Sequence, residues 1–154
     1  MTGQEFFRAV TVAFVATFIA TVYGYWEVLI GLAKLDFASV LGQRLVPEGS
    51  SKEFLFNWGM AQHFIDSMIL GVLYVQFFHS AYRWSHWASG LTFGILVWIA
   101  SGIVTSPLFQ MGFFWSAWGD TAPLGVFLWH LIWGLVLGIA LRLAEKERQR
   151  RKKS

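Results

Sequence analysis

Residues 121–141 read TAPLGVFLWHLIWGLVLGIAL, and residues 142–154 read RLAEKERQRRKKS. The first stretch has no Asp, Glu, Lys or Arg. At about 1.5 Å per residue a helix of that length matches the roughly 30 Å hydrocarbon core of a bilayer. The second stretch holds seven of the chain's 12 Lys and Arg residues. A span followed at once by a basic cluster is the pattern of a transmembrane helix that ends on the cytoplasmic side.

Upstream, the charges fall into islands. Ala9–Trp26, Phe54–Ile65, Ser67–Tyr82 and Trp84–Gly119 are all free of Asp, Glu, Lys and Arg, and Asp66 alone interrupts one long apolar run. The expected architecture is an all-α, integral membrane four-helix bundle. Its spans lie near 6–26, 54–79, 87–106 and 123–143, and a basic cytoplasmic tail covers 144–154. Pro107 should end the third span, and Pro123 suits the first turn of the fourth. The first span is too long for the apolar core of a signal peptide and reads as retained.

Composition agrees. Hydrophobic residues make up 56% of the 154 and charged residues 14%, against about 25% charge in soluble domains. Those figures exclude a disordered chain. The absence of cysteine removes disulfides, Fe–S clusters, thiolate zinc and cysteine nucleophiles. No phosphate loop, nucleophile elbow or His-Glu-x-x-His is present, so hydrolase and phosphate chemistry lack support.

Four spans and a basic C-terminus put both termini in the cytoplasm, with Arg8 and the link around Arg83 inside. The Lys34–Lys52 segment, with three basic residues, then falls outside against the rule. The tail attracts anionic lipid headgroups rather than nucleic acid. Between spans one and two, Leu35, Ala38, Val40, Leu41 and Leu45 fit one side of a short helix, and Asp36, Ser39, Gln43 and Arg44 fit the other. This is an interfacial amphipathic helix.

Helix two contains HFIDSMILG (63–71) and helix four HLIWGLVLG (130–138). The shared His, Ile, Leu and Gly point to a duplicated helical hairpin with parallel repeats. His63, Ser67 and Gly71 share one helix face, and so do His130, Gly134 and Gly138. Small residues at this spacing let helix backbones approach closely, so both histidines should face inward at equal depth. Helix one offers Ala16, Ala20 and Gly24 for such contacts, and helix three offers Gly90 and Gly94.

The chain also resembles a family of small, functionally uncharacterised four-helix prokaryotic integral membrane proteins. The likeness rests on Leu35-Asp36 with Leu41-Gly42, His63-Phe64, Pro107-Leu108 with Met111-Gly112-Phe113-Phe114, and His130-Leu131 with Gly134. It implies the four-span fold in a prokaryotic inner membrane and brings no activity.

His63 and His130 are the candidate site. One reading makes them ligands of a metal or of a haem b held between helices two and four. The plainer one has each imidazole hydrogen-bonding a neighbouring helix or outer loop. Asp66, about 60° around the helix from His63, would orient a ligand from behind or bond across helices. His79 and His86, at the inner interface, are expected to be solvated or bound to lipid headgroups. Three functions follow: a non-catalytic accessory subunit of a larger respiratory or photosynthetic membrane complex, a haem- or metal-binding membrane protein, or a small transporter or channel. The expected partners are the lipid bilayer and other membrane subunits.

Overall fold

The computed structural model of the chain describes residues 1–32, 36–78 and 85–151, with the backbone alone at 44 and 45. Lys34, Leu35, His79, Arg83 and the last three residues of the tail lie outside the described residues, as do the Arg44 and Leu45 side chains. The protein is all-helical, with 86% of its residues in helices, and no strand occurs among the described residues.

Helix α1 (Gly3–Leu29) starts at a capping box: Glu5 N–H donates to Thr2 Oγ1 (3.3 Å), and Thr2 N–H donates to Glu5 Oε2 (2.8 Å). Together these satisfy two of the helix's orphan donors. Its buried face is a run of small residues, Ala9, Ala13, Ala16, Ala20 and Gly24, ending in Glu27. Helix α2 (Phe37–Leu45) is capped by Asp36, whose Oδ1 accepts from Ser39 N–H (3.2 Å). It lies tight on the start of α3 (Lys52–Leu73), because a Cβ at Gly42 would overlap the Leu55 carbonyl and one at Gly59 the Ala38 carbonyl.

Helix α3 continues into a π-helical turn, Tyr74–Phe78. Helix α4 (His86–Ala100) passes through another, Ser101–Thr105, into the short α5 (Ser106–Leu108). The third apolar helix ends at Leu108, one residue past the proline at 107 expected to end it. A proline ring clashes with the carbonyl four residues back, and the wider π turn lies at that carbonyl. A 3₁₀ segment (Phe113–Trp118) leads to α6 (Ala122–Arg151), which carries its helix well into the basic tail.

Among the described residues, three helical stretches are long and apolar enough to cross a membrane: Gly3–Leu29, His86–Leu108 and Ala122–Arg151. Helix α3 is not among them, its apolar run being diluted by Asn57, Gln62, His63, Asp66 and Ser67.

The long helices pack antiparallel. On α1 and α3, Thr21 meets His63 and Ala13 meets Gly71. On α4 and α6, Gly90 faces Gly134 and Gly138, while His86 Nε2 stands 3.2 Å from Glu145 Oε2. On α1 and α6, the Trp133 indole N–H donates to Thr17 Oγ1 (3.2 Å), and Glu5 pairs with Arg148 at 3.9 Å. The first turn of α1 and the last turns of α6 therefore sit together. Helix α4 packs on the π turn Tyr74–Phe78, through Phe93 against Phe78 (5.3 Å between ring centres), rather than on α3 itself. Among the described residues, the α3–α4 side is the weakest of the four contacts between neighbouring long helices.

Candidate functional site

The small-residue faces fix where the histidines go. Gly71 has no side chain to hold α3 off Ala13 of α1, and Gly134 has none to hold α6 off Gly90 of α4. Each histidine lies on the same face as its glycine, so each is turned towards the preceding long helix. There each meets a hydroxyl: His63 Nε2 is 3.4 Å from Thr21 Oγ1 on α1, and His130 Nε2 is 3.5 Å from Ser101 Oγ at the end of α4. Each also meets an aromatic ring from the segment preceding its own helix. Phe37 of α2 lies 4.9 Å from His63 between ring centres, and Trp115 of the 3₁₀ segment lies 5.9 Å from His130. The two stations thus match in hydroxyl, imidazole and aromatic cover.

Both imidazoles line a single cavity of about 200 Å³. Its walls are mostly apolar, and four aromatic rings, Phe37, Trp115, Trp129 and Trp133, are among them. Ser67, Ser101 and Thr105 add hydroxyls. Exposed Asp66 and Thr105 mark its rim on the loosely packed α3–α4 side.

Asp66 points away from the role of supporting His63. Its Oδ1 accepts from the Gln62 amide (2.6 Å) on its own helix. At the matching place on α6, Trp133 is buried and bonds across to Thr17, so the two stations differ there. His86 pairs with Glu145 rather than standing alone in solvent.

Several residues of this region go unnoticed in the sequence. Ser101 reaches His130 from the first residue of the π turn, seven residues on from Gly94 and on the same side of the helix. Trp115 covers the cavity from a strained segment in which Gln110 (φ 59°), Phe114 (φ 50°) and Trp115 (φ 61°) are all left-handed. Buried Ser106 holds that segment down: its Oγ donates to the Gly112 carbonyl (2.5 Å) and accepts from Trp115 N–H (2.9 Å). The Phe114 ring fills the space that a Cβ at Gly102 would take. Glu27, only 1% exposed, lies over Gly125 in the first turn of α6, where the helix dipole favours an anion. Its signal in the sequence is its place on the face of Ala16, Ala20 and Gly24.

Among the described residues no group of three or more His, Asp or Glu side chains gathers as a metal site. Pockets for drug-sized ligands measure about 300–1,000 Å³, so the cavity of about 200 Å³ beside both histidines does not fit a haem. Comparison with protein-family models, curated proteins and solved structures finds no match to this chain.

Proposed function

We propose that the chain is a four-span protein of a prokaryotic inner membrane that binds a small, mostly apolar ligand drawn sideways from the bilayer. The observation that carries this reading is the single aromatic cavity lined by both His63 and His130, with its rim on the α3–α4 side. Ligand sites are concave and mainly apolar, with a few polar groups that fix orientation. An opening between two helices of a bundle faces lipid, so the natural visitor is a molecule dissolved there.

The four-span count is supported by the ends of the chain. Glu5 and Arg148 meet, so α1 leaves and α6 returns to one side, which requires an even number of crossings. Helix α3, antiparallel to α1 along its length, supplies the crossing that hydropathy alone withholds. The exposed faces are themselves apolar, with Phe7 73% and Phe77 70% exposed. The matched stations of His63 and His130 support a duplicated hairpin, α1–α3 repeated as α4–α6. Reporters fused before Met1 and after Ser154 are expected on one side of the membrane, the cytoplasmic one. Opposite signals from the two fusions would refute four spans.

The cavity itself is tested with bromobenzene, a single-ring quencher. Trp115, Trp129 and Trp133 line the space, so quenching should saturate. Ser67→Phe, which fills it, should weaken the effect at least five-fold. Quenching that rises without saturation, equally in both proteins, sinks the reading.

A second reading, a non-catalytic accessory subunit of a larger respiratory or photosynthetic membrane complex, is favoured by the exposed aromatics Trp26, Trp58, Trp87 and Phe113. A native preparation migrating as a lone monomer in lipid counts against it.

A further inference from the structure

We infer that the ligand of the His63–His130 cavity is a hydroxylated single aromatic ring, a phenol or hydroquinone with an apolar tail, whose hydroxyl donates to His130 Nε2; this rests on the ligand-binding reading above.

The hydrogen-bond pattern around His130 sets the polarity. His130 Nδ1 lies 2.8 Å from the Val126 carbonyl. A carbonyl only accepts, so the ring proton is on Nδ1. In neutral imidazole the other nitrogen then carries a lone pair. The nearest protein group to that lone pair is Ser101 Oγ, at the outer limit of 3.5 Å. The serine has one proton, which it gives to the Val97 carbonyl at 2.7 Å. Among the described residues Nε2 therefore has no donor aimed at it, and it belongs to a side chain that lines the cavity. An unmet acceptor in an apolar place costs about 1–3 kcal/mol. A ligand that brings an O–H recovers it, and one that brings only a carbonyl or an ether oxygen does not.

Size and shape set the rest. An apolar cavity of about 150 Å³ takes benzene, so about 200 Å³ takes one six-membered ring with a few small substituents. Four flat rings, Phe37, Trp115, Trp129 and Trp133, stand among the apolar walls, and they favour stacked or edge-on contact with an aromatic guest. Leu70 and Val97, one from each side of the α3–α4 opening, give an apolar tail a path to lipid. His63 stands in the same cavity, its Nε2 turned to Thr21.

The test is calorimetric titration of the full chain in lipid nanodiscs with four probes: trimethylhydroquinone kept reduced under argon, its dimethyl ether, trimethylbenzoquinone and toluene. The hydroquinone should bind at least ten-fold more tightly than the ether and the quinone. The quinone controls for size, because it is no larger and lacks only the donor. His130→Leu should erase the preference. His130→Gln, which can place an amide oxygen near the position of Nε2, should keep most of it. Equal binding of hydroquinone, ether and quinone overturns the assignment of the ligand while leaving the cavity reading intact. Tighter binding of the quinone also overturns it, since that requires a donor at Nε2. If none of the four probes binds, toluene included, the ligand-binding reading itself fails.

Discussion

Gly134→Ala should break the joint between α4 and α6. The added methyl would overlap the Gly90 carbonyl and crowd Gly94, and neither is a side-chain end that can swing aside. Overpacking of this kind costs about 1–3 kcal/mol or more. At about 2–4 °C per kcal/mol for a chain of this size, melting should fall by roughly 6–12 °C at the upper end. Gly90→Ala should behave alike, because the overlap is reciprocal, whereas Gly3→Ala, which meets nothing within 4 Å, should stay within about 0.5 kcal/mol of the parent. Thermal unfolding in detergent measures all three. A Gly134→Ala protein as stable as Gly3→Ala would falsify the close backbone contact. The contact matters more in lipid than it would in water. Lipid tails are as apolar as the side chains, so helix association depends on close packing and polar contacts.

Ser106→Ala is expected to release the outer segment while leaving the helices standing. One hydroxyl both donates to Gly112 and accepts from Trp115, so its loss leaves two backbone groups unmet, at about 1–3 kcal/mol each. The segment cannot absorb that loss easily, because left-handed backbone at three non-glycine residues already costs roughly 1–2 kcal/mol per residue. Trp115 should leave its buried place, its emission should move to longer wavelength, and its amide should exchange faster. Helical circular dichroism should barely change. Unchanged exchange at Trp115 would show that other contacts suffice.

What could be read from the sequence followed from two simple periodicities. Runs without charge report long apolar helices, and spacing by four reports which side chains share a face. That was enough to put His63 with Gly71 and His130 with Gly134, and so to turn both imidazoles inward. Hydropathy was less informative for α3, whose polar residues lower its average although it lies along α1. Ser101 went unnoticed although it lies seven residues from Gly94 on the same face of the helix, because a serine inside an apolar run carries no signal of its own. The left-handed Phe114 and Trp115 could not be read either. Nothing in FFWSAW marks a strained turn, and the conformation is held from outside by Ser106. Haem was suggested by residue chemistry, which carries no information about volume. Glu27 was hidden at the end of an apolar run, where an acid ordinarily marks the edge of a span.

The bond from Trp133 to Thr17 joins residues 116 apart in the chain. A ribosome adds about 5–20 residues per second, so Thr17 waits roughly 6–23 s for its partner to be made. The α1–α3 and α4–α6 hairpins close on shorter loops and can each form as soon as their second helix has been made. The buried face of α1 must meanwhile lie against lipid or another chain, with Glu27 at its edge. Biogenesis thus has an ordered last step, the docking of two finished hairpins, and a chain cut short before α6 would be left with that face open.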